Sequence, residues 1–168
     1  MDAIGALADG RVVQIGIIVS DMDAALQRYS AIFGSDRWRI YTFGPNGRHE
    51  YYGSPTSFTS RLALNDASPQ IELIQPLEGD SIHRDWLAER GEGLHHVAVD
   101  VPSVADAITS LTALGCPLMQ AGFGFGVGGE GDGAYAYVDA TAALGMIVEP
   151  IEQPSSLPPP DAIWSPGA

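Results

Sequence analysis

Apolar and polar positions along this chain follow a pattern that occurs twice. Residues 14–34 read QIGIIVSDMDAALQRYSAIFG, and residues 96–115 read HVAVDVPSVADAITSLTALG. Each stretch is an apolar strand-like run, a short acidic or proline-containing break, an amphipathic helix and a closing glycine, Gly34 or Gly115. In the first copy a strand is predicted over Arg11–Ser20. A helix is predicted over Met22–Phe33, with Asp21 as its N-cap and Gly34 closing it. Leu26, Tyr29 and Phe33 fall on one face of that helix. Strands are then expected at Arg37–Phe43, Phe58–Asn65 and Gln70–Gln75, with Gly44–Pro55 as a loop or irregular hairpin. The connector carries a short helix capped by Asp80 or Ser81 and running to about Arg90. In the second copy Gly93–Val101 is a strand, and Ser103 caps a helix over Val104–Leu114. Strands start at Pro117–Ala121 and follow at Ala134–Asp139 and Met146–Ile151, with Gly122–Gly133 as a flexible glycine-rich turn.

Each half therefore reads βαβββ, and neither half buries its sheet alone. The expected fold is α+β: two βαβββ modules forming an open barrel-like mixed sheet, with the helices outside. The expectation is one domain over 1–168. The first module covers 11–76, a helical connector 77–92 and the second module 93–152. An irregular proline-rich tail takes 153–168, in which Trp164 is placed to dock on something, a partner subunit included.

Charge and composition narrow the function. The net charge is −13, and the eight basic residues are all arginine. Nucleic acid and anionic membrane surfaces both need basic patches, so neither is expected as a partner. Without lysine there is no Schiff-base chemistry. No run of 18 apolar residues offers a membrane span. The N-terminal MDAIGALADGR has neither the basic nor the apolar region of a signal peptide. Cys116, the only cysteine, permits no internal disulfide or thiolate metal cluster. A cytoplasmic location is expected.

Some residues fit poorly in a plain core. Glu72 sits between Ile71 and Leu73, and Glu149 follows Ile147 and Val148. An ionised carboxylate in a buried strand is costly unless paired or bound to a cation. By strand alternation Gln14 shares a face with Gly16 and Ile18, and His96 with Ala98 and Asp100. Gly16 and Ala98 leave room beside the two polar residues, and His95 points away from His96. Gln14 to His96 is 96 − 14 = 82 residues, and Glu72 to Glu149 is 149 − 72 = 77. In each half the first and last strands thus offer one polar side chain. Converging, the four would give one nitrogen and three oxygens, a set that suits Zn, Co, Ni, Mn or Fe(II) with open positions for a substrate. The bland alternatives are a rim glutamine and solvent-facing glutamates. The repeat-matched pattern favours the metal-type site.

The stretches VVQIGIIVSDMDAAL, IELIQPLEGDSIHRDWL, GEGLHHVAVDV and GMIVEPIEQ resemble the vicinal oxygen chelate superfamily of glyoxalases, bleomycin-resistance proteins and dioxygenases. The resemblance runs from residue 11 to about 152 and is nearest to methylmalonyl-CoA epimerase-like and glyoxalase-like members. It implies metal ligands at Gln14, Glu72, His96 and Glu149. The epimerase pattern has His where this chain has Gln14, whereas animal-type glyoxalase I carries a Gln, Glu, His, Glu set. Extradiol dioxygenase activity, which wants two His and one carboxylate, is disfavoured. The missing lysines, and Glu130 and Asp132 in the glycine-rich turn, argue for a smaller or more apolar substrate than a CoA or glutathione adduct.

The function implied is a divalent-metal-dependent isomerase, epimerase or lyase. It would act on a small carbonyl compound through a metal-stabilised enolate, with Glu149 as ligand and proton shuttle and Glu72 as second candidate. A small-molecule sequestering protein without chemistry is the alternative. Arg61, Thr59, Tyr52 and Phe123 are candidates for the substrate pocket, with His49, Tyr51 and Phe125 nearby. Related folds commonly dimerise, so a homodimer is expected.

Overall fold

The computed structural model describes residues 6–7, 10–127 and 131–167. Glu130, assigned above to the glycine-rich turn, lies outside the described residues, as does most of the N-terminal segment read for a signal peptide. Eleven strands and four helices are found among the described residues. The chain is α+β and divides into two compact units. The N-unit comprises Gln14–Asn46, Thr56–His95 and Pro159–Ala168; the C-unit comprises Met1–Val13, Gly47–Pro55 and His96–Pro158.

The N-unit is built on β1 (Arg11–Ile18), α1 (Met22–Phe33), β2 (Trp38–Phe43), β5 (Phe58–Leu64) and β6 (Gln70–Gly79). Its strands lie in the order β11-β2-β5-β6-β1, where β11 is Ala162–Trp164. β1 and β6 are parallel, and the remaining pairs are antiparallel. The start of α1 is fixed by Asp21, whose side chain accepts from the Ala24 N–H at 3.0 Å. Its end is fixed by Gly34, which takes a left-handed conformation open to glycine at little cost. The inward face of α1 carries Met22, Ala25 and Leu26, buried against Ile17, Trp38, Ala63, Ile71 and Leu73. Each large aliphatic side chain buried there contributes about 1.5–3 kcal/mol.

The connector helix α2 (Ile82–Arg90) is capped by Ser81. Just beyond it, Glu92 accepts from the Ser20 N–H at 2.8 Å and the Ser20 hydroxyl at 2.6 Å, and meets Arg28 at 3.1 Å. The Ser20 hydroxyl and amide, with a smaller contribution from Arg28, hold the Glu92 carboxyl below its usual range against a small desolvation penalty. A carboxylate with a lowered folded-state pKa stabilises above its unfolded pKa and loses that contribution as pH falls through the folded value. Glu92→Gln is therefore expected to cost about 0.5–1 kcal/mol at neutral pH, discounted for exposure. In urea unfolding, the gap to wild type should narrow as pH falls from neutral to below the usual carboxylate range. An equal gap at both ends of that span would show that the carboxylate charge contributes nothing.

The C-unit repeats the plan with β7 (Gly93–Asp100), α3 (Val104–Ala113), β8 (Leu118–Phe125), β9 (Gly133–Ala140) and β10 (Met146–Glu152). A one-turn helix, α4 (Thr141–Leu144), precedes β10. The strand order is β7-β10-β9-β8-β3, with β4 beyond β3. Again the first and last strands of the βαβββ unit, β7 and β10, are parallel. Ser103 caps α3. Val104, Ala107 and Leu111 of α3 pack on Val99, Ala134, Ala136, Val138 and Val148, with the free Cys116 buried among them.

Several segments differ from the sequence reading. The stretch read as a loop or irregular hairpin forms β3 (Arg48–Tyr51) and β4 (Ser54–Thr56), and β3 pairs with β8 in the C-unit. The proline-rich tail is irregular only up to β11, which pairs with β2 through Trp164↔Trp38. Trp164 thus docks on its own chain, partly buried beside Tyr29. The shallow depression it helps to line, with Gln27, Ser30 and Ala31, contains no titratable side chain. β6 continues past Pro76, because the register with β5 shifts between Thr59 and Ser60 and a proline is tolerated at such an irregularity. No helix among the described residues is long and apolar enough to cross a membrane.

Candidate metal centre and its surroundings

One face of each unit's sheet is largely apolar and covered by its helix; Gln14, Glu72, His96 and Glu149 lie on the other. In the N-unit, Ile17, Ile71 and Leu73 face α1. Alternation puts Gln14, Gly16, Gln70 and Glu72 on the opposite side. The parallel register sets Gln14 beside Gln70 and Gly16 beside Glu72. Glu72 thus lies over a residue without a side chain, two places along from Gln14. Gln14 and Glu72 are both buried, and the Gln14 amide donates to Gln70 Oε1 at 2.9 Å.

The C-unit has the same register. His96 pairs with Ile147 and Ala98 with Glu149, so the carboxylate again faces a small residue two places beyond the polar one. His96 is fully buried and Glu149 nearly so, with His96 Nε2 2.9 Å from Glu149 Oε2. Two kinds of occupancy satisfy such a contact at depth. A protonated imidazole can pair with the carboxylate, or a neutral imidazole and the carboxylate can both direct lone pairs at a cation. The donor set (imidazole nitrogen, carboxylate oxygens, amide oxygen) fits a borderline divalent first-row ion.

Other candidates are placed differently. Arg61 lies on the helix-bearing face of its strand and pairs with Asp23 of α1 at 3.0 Å, so its guanidinium is engaged away from the Glu72 face. Phe123 packs with the helix-side core of the C-unit. Tyr52 is exposed at a positive φ, its ring edge-on to Tyr51. Thr59 sits at the strand irregularity, half-buried. His95 packs edge-on against His83 and Trp86 of α2.

Residues that the sequence reading passed over occupy the polar face of the C-unit. Tyr137 packs against His96, with ring centroids 5.0 Å apart, and against Tyr135 at 5.4 Å. Tyr135 is hydrogen-bonded through its hydroxyl to His49 Nδ1 at 3.0 Å. Gly122 lies between them: a Cβ there would come 2.2 Å from the Tyr135 ring and 2.7 Å from His49 Nδ1. Only glycine admits this pair, and β8 runs on to Phe125, into the stretch read as a flexible glycine-rich turn. The available sequence signal was the alternation of Tyr135, Tyr137 and Asp139 with Ala134, Ala136 and Val138.

The sequence profile of the glyoxalase/bleomycin resistance protein/dioxygenase superfamily matches residues 13–137. The chain belongs to this superfamily. Solved structures of similar fold include a hypothetical protein from Bacillus halodurans, at 21% identity and a TM-score of 0.61, covering 86% of this chain and 94% of that one. A methylmalonyl-CoA epimerase in complex with methylmalonyl-CoA and NH4+ is 22% identical with a TM-score of 0.61, covering 89% and 99%. The Mycobacterium tuberculosis methylmalonyl-CoA epimerase is 23% identical with a TM-score of 0.55, covering 94% of each chain. At these identities the likeness is one of fold. No curated protein matches the chain in sequence. Members of the glyoxalase superfamily commonly bind divalent metals, and the buried His96–Glu149 pair belongs to a group able to hold one.

Proposed function

We propose that this glyoxalase-superfamily protein is a divalent-metal-dependent isomerase or epimerase of a small carbonyl compound, with Gln14, Glu72, His96 and Glu149 as its metal ligands. One observation carries the reading: both units set a buried carboxylate opposite a small residue, two positions beyond a buried polar residue on the first strand. Buried carboxylates are costly, and coordination of a cation is one way to offset that cost. When bound, a divalent ion polarises a carbonyl and makes the neighbouring C–H more acidic.

Glu149 is the proton-transfer group in this proposal. Its carboxylate takes the proton from the carbon next to the carbonyl: the C–H bond breaks, an O–H bond forms, and the electron pair delocalises onto the carbonyl oxygen. Return of the proton to the other face epimerises that carbon; where that carbon carries a hydroxyl, the hydroxyl proton passes to the carbonyl oxygen, the carbon proton returns to the neighbouring carbon, and the carbonyl moves by one position. Glu72 is the second candidate for that return. Lyase chemistry, a homodimer and a cytoplasmic location belong to the same proposal. The competing reading, sequestration without chemistry, draws on the His96–Glu149 contact, which is also complete as a plain ion pair. Solvent deuterium exchange separates the two. The protein is expected to wash deuterium from heavy water into the α-position of 2-substituted carbonyl compounds. A broad panel without exchange would leave the sequestering reading.

A further inference from the structure

The polar face of the C-unit can be followed strand by strand. The antiparallel register of β10 with β9 pairs Val148 with Val138 and Ile151 with Tyr135, which sets Glu149 opposite Tyr137. The next strands pair Tyr137 with Gln120, and Gln120 with Tyr51. One row across the sheet is therefore Ala98, Glu149, Tyr137, Gln120 and Tyr51. The neighbouring row passes through Tyr135 and Gly122 to His49. Gln120 and Tyr137 are buried, and Tyr51 is half-buried.

This wall is chemically distinctive. Beyond Glu149 it presents uncharged hydrogen-bonding groups: two phenols and an amide that both donates and accepts. Among the described residues of these strands no arginine stands on this face, since Arg48 alternates away from His49, and the chain has no lysine. A phosphate or a CoA diphosphate would meet no arginine or lysine along this row, and the Glu149 carboxylate at its end. Hydroxyl or keto groups would meet matched partners.

We infer that the row Tyr137–Gln120–Tyr51 is a specificity wall, and that the substrate is an uncharged, oxygen-rich carbonyl compound whose hydroxyl or keto groups, beyond those at the reacting centre, hydrogen-bond to Gln120 and the flanking phenols. This deepens the isomerase reading and rests on it for the place of the reacting carbon beside Glu149. Sites built to hydrogen-bond a substrate hydroxyl discriminate strongly against analogues that lack it, by up to about 10⁴–10⁵.

The test uses two ring ketones that share an α-hydroxyketone unit: 2-keto-myo-inositol, hydroxylated around the ring, and 2-hydroxycyclohexanone, which has no further hydroxyls. Calorimetric binding to the purified protein should favour the hydroxylated ring by about tenfold or more. Gln120→Leu should erase that preference by weakening the hydroxylated ring by about tenfold or more relative to the plain ring. Tyr51→Phe, at the half-buried end of the row, should reduce the preference and serves if Gln120→Leu does not fold. Equal binding of both rings, no binding of either, or a preference unaffected by every folded variant would overturn the inference. Deuterium exchange on the same two ketones reads the isomerase proposal separately. Preferential binding without exchange keeps the wall and removes the reaction; equal binding with exchange keeps the reaction and removes the wall.

Discussion

Glu149→Gln is expected to lower solvent deuterium exchange by about 10²–10⁴-fold, the usual contribution of a positioned general base. The substitution keeps the volume and one acceptor oxygen, so packing against the buried His96 is largely retained. It removes the negative charge and the basic oxygen. His96→Ala should also reduce exchange, but for another reason: it deletes a nitrogen donor and opens a hole at a fully buried position. Excess divalent metal should therefore restore part of the His96→Ala rate and almost none of the Glu149→Gln rate. Equal rescue of both would mean that Glu149 acts only as a ligand. Full exchange in Glu149→Gln would move the proton-transfer role to Glu72 or elsewhere.

Trp38→Ala is expected to have the largest effect on stability. Trp38 is completely buried, at the centre of the apolar layer between α1 and the N-unit sheet. Its indole N–H donates to the Ser30 hydroxyl at 2.7 Å, tying β2 to α1. Truncation removes the ring contacts and leaves a cavity, which costs about 3–5 kcal/mol; the lost hydrogen bond adds about 1 kcal/mol. Natural domains have only about 5–15 kcal/mol in hand. At about 2–4 °C per kcal/mol for a chain of this size, the melting temperature should fall by roughly 8–24 °C. Trp38→Phe, which keeps most of the apolar volume, should lose much less. A fall of under about 3 °C for Trp38→Ala would show that this layer does not limit stability.

Much of the fold was legible because its determinants are local. Asp21 and Gly34 set both ends of α1, and Ser103 set the start of α3, from side-chain and backbone chemistry next to the helices. The repeat revealed the two βαβββ units, since an apolar run followed by an amphipathic helix is written within about twenty residues. Strand partners are not written locally. Nothing near β3 says that it pairs with β8, or near β11 that it pairs with β2. The proline in β6 read as an end, because the irregularity that accommodates it lies on β5.

The candidate site divides along the same line. Glu72 and Glu149 stood out because charge in an apolar strand is costly wherever it occurs. Alternation then placed Gly16 on one face with Gln14 and Ala98 on one face with His96; that they lie beside Glu72 and Glu149 came only from the strand register. Gln120 and Tyr137 did not stand out: a glutamine and a tyrosine in strands are ordinary residues. Their significance comes from the register that lines them up with Glu149 across three strands. Arg61 looked like a substrate anchor by composition alone, and its partner Asp23 comes from a helix 38 positions away.

The central claim is that this chain binds a divalent ion with His96 and Glu149 among its ligands, and metal content measures it most directly. Elemental analysis of the purified wild-type protein should find about one equivalent of a first-row divalent metal per chain, with far less in His96→Ala and Glu149→Gln. The same sub-stoichiometric metal in wild type and in both folded variants would contradict the account.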